Sequence, residues 1–247
     1  MNSLLDDGLK DARVLVTGAA GGIGAAVAES FVAAGAAVVV SDVTPVSEDL
    51  GARASVTADL RDTAESGRLV TAAADTLGGL DVVAHLAGVL RRRDIAQVTE
   101  ADWDVQHDVN LKASFFLLRE AAGLMARQGT GGRLIAAASQ GWWSGGYGGS
   151  AVYAASKGGL VSLCRGLART YGPCGITVNT VAPGAIDTTM LTDDLTADAL
   201  DTILSATPLR RLGTAQEVAS AVLFLASARA SFITAATLNV SGGWLAY

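Results

Sequence analysis

The sequence predicts an α/β protein in which one parallel sheet of about seven strands is doubly wound, with helices on both faces. Three observations predict it. Short β-branched runs alternate along all 247 residues with Ala- and Leu-rich stretches of helical length. Most of those runs are apolar throughout, as strands covered on both faces must be. A glycine-rich turn closes the first run and opens the first helical stretch, as a phosphate-binding βα unit requires.

The elements follow in order. Arg13–Thr17 is the first strand, and residues 23–34 form the helix beyond the turn. Residues 37–41 (Ala-Val-Val-Val-Ser) make the second strand and 53–57 the third, before a helix over Thr63–Leu77. Residues 81–85 are the fourth strand. Thr99-Glu100-Ala101-Asp102 has the Thr-x-x-acid form that opens a helix, here expected to run over 99–127. The fifth strand, 133–138, precedes a helix over Ala151–Tyr171, and the sixth strand is 176–182. A helix over Ala215–Ala226 and a strand at Thr237–Val240 complete the set, with right-handed crossovers throughout. No linker, repeat or charge block divides the chain, so residues 1–247 read as a single domain. Residues 184–208, rich in Thr and Asp, form a long irregular stretch expected to act as a substrate lid.

Composition narrows the function. Half the residues are apolar and 29 are Gly, which excludes a disordered chain. The net charge of −6 argues against a nucleic-acid surface, which needs clustered Lys and Arg. Arg91-Arg92-Arg93 is too short a run to change that. Cys164 and Cys174 match no metal spacing and read as reduced thiols. The acidic start, Met1-Asn2-Ser3-Leu4-Leu5-Asp6-Asp7, is unlike a signal peptide. No apolar run reaches the roughly 18–20 residues that span a bilayer. A soluble cytoplasmic protein is expected, with no membrane or nucleic-acid partner.

Tyr153 and Lys157 are four residues apart and so share one helix face. A free phenol has a pKa of about 10, and lowering it to roughly 7.5 takes about 3.4 kcal/mol. One positive charge at about 5 Å, in an effective dielectric near 20, supplies on the order of 3 kcal/mol. Taken alone, the pattern also describes a half-buried Tyr beside a solvated Lys.

Thr17-Gly18-Ala19-Ala20-Gly21-Gly22-Ile23-Gly24 lies between strand and helix. Glycine here permits a tight turn and close approach of backbone to a pyrophosphate, which the helix N-terminus attracts. Asp42 ends the second strand, where a carboxylate accepts hydrogen bonds from both ribose hydroxyls. A 2′-phosphate would meet a like charge there, and the neighbouring Ala20, Gly21 and Val43 offer no cation. NAD is therefore expected over NADP.

Over residues 13–247 the chain resembles the short-chain dehydrogenase/reductase family in its form of about 250 residues, a Rossmann-like fold. The turn supplies Gly18, Ala20, Gly22, Ile23 and Gly24. Asp59-Leu60 is similar to the pair that holds adenine. Leu86-Ala87-Gly88 follows the fourth strand, where the family usually has Asn-Asn-Ala-Gly; here His85 and Leu86 replace both Asn. Asn110 resembles the helix Asn that holds a water near the active-site Lys. Ser139, Tyr153 and Lys157 match the catalytic set. Pro183, Ile186 and Thr188 match the loop that holds the nicotinamide carboxamide.

The resemblance implies hydride transfer between a carbinol carbon and nicotinamide. Tyr153 would be the general base, Lys157 would lower its pKa and bind the nicotinamide ribose, and Ser139 would hold the substrate oxygen. Asn110 would position a proton-relaying water. His107, one turn before Asn110, is a rival base. Trp142, Trp143 and Tyr147, in the loop between Ser139 and Tyr153, are expected to rim the reacting carbon. Arg91, Arg92 or Arg93 could place a guanidinium at the cleft mouth, and Met190 and Leu191 belong to the lid.

Ala87-Gly88-Val89-Leu90-Arg91-Arg92 and Gly242-Gly243-Trp244-Leu245-Ala246 are similar to sugar-acid dehydrogenases of the deoxygluconate and ketodeoxygluconate type, which places the enzyme in carbohydrate metabolism. The alternatives are a 3-oxoacyl thioester reductase and, in another class, a non-catalytic NAD-binding scaffold. The helices over 99–127 and Ala151–Tyr171 would form subunit contacts, as in related homotetramers. The apolar end, residues 244–247, is expected to be packed.

Overall fold

The computed structural model describes residues 7–193 and 196–244. The acidic start through Asp6, the terminal Leu245, Ala246 and Tyr247, and Asp194 and Leu195 of the expected lid lie outside the described residues.

Seven parallel strands form one sheet in the order β3-β2-β1-β4-β5-β6-β7. They are β1 (Arg13–Thr17), β2 (Ala37–Asp42), β3 (Ala54–Thr57), β4 (Val82–His85), β5 (Gly132–Ala137), β6 (Ile176–Pro183) and β7 (Thr237–Val240). The helices are α1 (Gly22–Ala33), α2 (Thr63–Leu77), α3 (Glu100–His107), α4 (Ala113–Gln128), α5 (Gly141–Ser144), α6 (Ala151–Tyr171), α7 (Thr189–Thr192), α8 (Ala197–Ala206) and α9 (Ala215–Ala226).

The continuous apolar runs are explained by two cores. Val14 and Val16 of β1 pack with α1 and α9 on one face, whereas Leu15 packs with α2, α4 and α6 on the other. Val38, Val39 and Val40 of β2 divide in the same way. Each fully buried Val or Leu contributes roughly 1.5–3 kcal/mol, so neither face tolerates a polar substitution. From β1 the chain crosses first to β2 and later to β4, on the opposite side. That reversal opens a crevice at the carboxyl ends of β1 and β4, where α/β sheets bind ligands.

Two elements differ from the sequence expectation. The helix expected over 99–127 is interrupted by a π-turn at Asp108–Lys112, between α3 and α4. Its start is as expected, with Thr99 and Asp102 forming a reciprocal capping box. The stretch 184–208 is not wholly irregular, because α7 and α8 lie within it. Thr196 caps α8 by accepting from the Ala199 N–H, a short-range signal masked by the many Thr and Asp around it. Among the described residues no helix is long and apolar enough to cross a membrane, and no cluster of metal-ligating side chains occurs.

Candidate active site

The carboxyl ends of the strands open into a cleft of about 1090 Å³. At one end lies the glycine turn. Gly18 has φ +74°, and a Cβ there would sit 2.6 Å from Ala87 N and 2.8 Å from the Leu86 carbonyl carbon. A Cβ on Gly24 would fall on the Gly18 carbonyl oxygen. Only glycine lets this turn close against the loop after β4. The α1 N-terminus has no side-chain cap and no acidic residue in its first turn, so its N–H groups and positive dipole end remain available to an anion. These residues fit a dinucleotide pyrophosphate. Thr188 reaches the same turn, its Cγ2 lying 3.4 Å from where a Gly22 Cβ would be, and with Ile186 and Pro183 it lines the cleft.

Asp42 stands at the end of β2. Its carboxylate accepts from the N–H groups of Ala20 (3.0 Å) and Thr44 (3.2 Å), which aims it across the turn. Asp59 and Leu60 line the same end. A cation the strand ends do not reveal, Arg61, also lines the cleft. Its guanidinium is held by both oxygens of Asp59, at 2.5 and 3.0 Å. That pairing keeps the Asp59 carboxyl below its usual range.

Ser139, Tyr153 and Lys157 meet on the cleft floor beside Leu86, Ala87 and Gly88. The Ser139 hydroxyl oxygen accepts from the Gly141 N–H at 3.1 Å, leaving its proton for the Tyr153 oxygen. Lys157 is buried, and its Nζ donates to the Ala137 carbonyl at 2.7 Å. Asn110 is buried just behind, in the π-turn. It accepts from the Val89 N–H at 2.8 Å and donates to the Val89 carbonyl at 2.9 Å and to Ser156 Oγ at 3.1 Å. A Cβ on Gly88 would lie 3.1 Å from both Asn110 Oδ1 and Lys157 Nζ. Four residues from three separate segments, the loop after β5, the π-turn and α6, thus come together.

The electrostatics differ from the sequence arithmetic. Burial pushes the Tyr153 phenol up to about 12, against the opposing effects of the Ser139 hydrogen bond and the Arg92 charge. Burial also brings Lys157 down to about 8. Lys157 Nζ lies 5.6 Å from the centre of the Tyr153 ring and donates to the Ala137 carbonyl. The omission was desolvation, which disfavours both charged forms.

A pH effect on stability follows. Unfolded Lys157 keeps its proton to about 10.5 and the native residue to about 8, so between these values the unfolded chain binds more protons. Stability then rises with pH, by at most on the order of 3 kcal/mol. Cys164 and then Tyr153, both raised to about 12, oppose part of this from roughly pH 8 upward, as an ordinary thiol titrates. Denaturant melts from pH 8 to 9 should therefore show a gain in the native chain that is absent in Lys157→Met. Parallel profiles for the two proteins would contradict the assignment.

The substrate rim needs correction. Tyr147 lines the cleft, but Trp142 and Trp143 do not. Both lie on the one-turn helix α5, whose Gly141 and Ser144 (i and i+3) face the cleft and turn the two indoles away. The Trp142 ring packs instead under the Arg165 guanidinium, 5.5 Å away. Trp244 takes their place on the wall, its ring centre 5.7 Å from that of Tyr147. No spacing in the sequence could have joined residues so far apart. Met190 and Leu191 of α7 line the cleft, as do Ala199, Thr202, Ile203 and Ala206 of α8. Arg91 and Arg92 also line it, whereas Arg93 turns aside to pair with Asp102. Among the described residues no carboxylate pairs with Arg91 or Arg92. The rival base His107 lies outside this lining, stacked on Trp103 at 4.0 Å with Nδ1 3.0 Å from the Trp103 carbonyl.

Known proteins share this architecture. A family model described as enoyl-(acyl carrier protein) reductase matches residues 18–245. The (2S)-[(R)-hydroxy(phenyl)methyl]succinyl-CoA dehydrogenase subunit BbsD of Thauera aromatica is 35% identical over 96% of this chain and 97% of its own. The chain belongs to the short-chain dehydrogenase/reductase family. Another relative in that family, the 3-oxoacyl-[acyl-carrier-protein] reductase FabG of Salmonella typhimurium, is 37% identical over 93% of this chain and 95% of its own. Among solved structures, a putative short-chain alcohol dehydrogenase from Sinorhizobium meliloti superposes with a TM-score of 0.88 at 34% identity, covering 95% of this chain and 96% of that one. As a short-chain dehydrogenase/reductase, the protein is an oxidoreductase of CH–OH groups that works with a nicotinamide cofactor.

Proposed function

We propose that the protein interconverts a secondary alcohol and a ketone, with NAD as cofactor and Tyr153 as general acid/base. The observation that carries this is the convergence of Ser139, Tyr153 and Lys157 on the floor of a cleft whose far end is the glycine turn, with Asn110 buried just behind them. When bound, the oxidised nicotinamide supplies the hydride acceptor and a positive charge that favours the phenolate. Ser139 holds the substrate oxygen beside the Tyr153 hydroxyl. Tyr153 takes the hydroxyl proton in oxidation and returns it in reduction. Lys157, with ammonium protons to spare beyond the Ala137 carbonyl, holds the nicotinamide ribose, and Asn110 orders the water through which protons leave. Pro183, Ile186 and Thr188 hold the carboxamide end; Asp59, Leu60 and residues 86–88 line the remaining cofactor path.

Asp42 supports NAD. Its carboxylate suits two ribose hydroxyls and repels a 2′-phosphate, and Arg61 is already held by Asp59. A charged hydrogen bond contributes roughly 1.5–3 kcal/mol, so kcat/KM should favour NAD by about tenfold or more. A preference for NADP would overturn the cofactor assignment.

Arg91 and Arg92 support a substrate with an acid group, and the Tyr147–Trp244 wall suits the flat face of a sugar ring; a sugar acid satisfies both. A second reading, a 3-oxoacyl thioester reductase, is favoured by the names of the relatives. A panel of sugar acids, aldoses, polyols and hydroxyacyl thioesters separates them. Turnover of sugar acids, with KM raised in Arg92→Ala, is the expected result. Activity confined to thioesters would select the second reading. The lid over 184–208, a homotetramer built on α3, α4 and α6 and a cytoplasmic setting complete the proposal. Exposed Phe115 on α4 is consistent with a subunit contact, and sedimentation as a monomer would contradict it.

A further inference from the structure

His85 is a fully buried titratable residue with no part in the chemistry above. It ends β4 directly opposite Thr17, the last residue of β1. Its Nδ1 lies 2.7 Å from Thr17 Oγ1 and its Nε2 lies 2.8 Å from Ser114 Oγ. Ser114 Oγ in turn donates to the Asn110 carbonyl at 2.8 Å. Because that carbonyl can only accept, the Ser114 proton is committed to it, and the Ser114 oxygen is left to accept from His85. The proton therefore sits on Nε2, and Nδ1 accepts from the Thr17 hydroxyl. Beyond Asn110 the chain continues: its Nδ2 donates to Ser156 Oγ, and Ser156 Oγ donates to the Tyr153 carbonyl at 2.7 Å. Thr17, His85, Ser114, Asn110 and Ser156 are each no more than 1% exposed, so every link lies away from bulk water, where a lost partner is costly.

The π-turn explains why such support is needed. A π-turn disrupts the regular i→i−4 ladder, and such turns occur mostly at functional sites. Here it lies at Asp108–Lys112, around Asn110. We propose that His85 is a positioning residue for proton transfer: as the neutral Nε2–H tautomer it fixes Asn110 through Ser114, and so ties the strand that carries the cofactor turn to the proton path beside Lys157. Burial and the nearby Lys157 charge also hold the ring neutral, its pKa brought down to about 3. The proposal rests on the reading of Asn110, Tyr153 and Lys157 given above.

The test uses the intact protein and has two parts. Nitrogen-15 spectra of the labelled native chain should show one His with a protonated Nε2 and an unprotonated Nδ1 from pH 5 to 9. An Nδ1–H tautomer, or titration in that range, would overturn the proposal whatever the variants do. His85→Leu should lower kcat about ten- to a hundredfold, the scale expected when a catalytic group is misplaced, with little change in KM for the cofactor. His85→Gln, whose amide can accept from Thr17 and donate to Ser114, should recover most of the loss. In a Ser114→Ala background His85→Leu should cost little more, since the link is already cut. Additive losses, or equal losses for Leu and Gln, would make His85 a packing residue only. Should the tautomer be as stated while Tyr153→Phe keeps its activity, the fault lies with the Tyr153 reading and not with the His85 network.

Discussion

Tyr153→Phe is expected to cut turnover by about 10²–10⁴-fold, the usual contribution of a general acid or base, while cofactor affinity stays near that of the native chain. The substitution removes one oxygen and the hydrogen bond from Ser139, and leaves the ring over which Lys157 lies. Since burial raises the phenol to about 12, the chain's own groups do not make Tyr153 a base near neutrality. The charge that a bound oxidised nicotinamide brings would lower its pKa. In the native protein the basic activity should therefore appear in the ternary complex, and kcat should rise with pH at a lower value than a phenol titrated in the protein alone. Stopped-flow hydride transfer and NADH titration of the variant check both halves. Residual turnover above a tenth of native would assign the base elsewhere.

Gly24→Ala should produce the second large loss, this time in cofactor binding. The added methyl would land on the Gly18 carbonyl oxygen, and backbone cannot yield as a flexible side chain can. Overpacking of this kind costs about 1–3 kcal/mol, which corresponds to roughly a five- to 150-fold loss in affinity together with a lower Tm. Gly21→Ala is the control. Its backbone is extended at φ −177°, and a Cβ there meets nothing within 4 Å, so its Tm should match the native value. Calorimetric titration with NADH and thermal melts on both variants decide the matter. Equal behaviour of the two would mean that the turn opens without penalty.

Much of this site was legible in the sequence because its residues are tied to element ends. Gly18, Asp42, Ser139 and Pro183 fall at or just beyond the ends of β1, β2, β5 and β6, so reading the strands placed them. Tyr153 and Lys157 lie on one long helix, where a spacing of four fixes a shared face. Trp142 and Trp143 were misplaced because α5 is a single turn, too short for any periodicity to show which side faces the cleft. Trp244 was overlooked as a wall residue because its partnership with Tyr147 is purely tertiary. The π-turn within 99–127 was invisible for a related reason: it shifts backbone bonding without breaking the apolar pattern. His85 reads as a departure from the usual Asn; that its two ring nitrogens span the gap between Thr17 and Ser114 is a tertiary fact with no local signal. The phenol's pKa failed for a different reason, since sequence spacing gives the attractive charge but not the desolvation.

The parallel sheet also has a consequence for how the protein reaches its native state. No two neighbouring strands are joined by a hairpin, so every pairing closes a long loop, and such topologies fold slowly. The β1–β4 pairing joins residues 68 positions apart, the separation of Thr17 from His85. The hydrogen-bond chain that reaches Tyr153 crosses that same seam. A refolding experiment should therefore recover helical signal early and the Thr17–His85 bond late, with enzymatic competence returning only when the two halves of the sheet have joined.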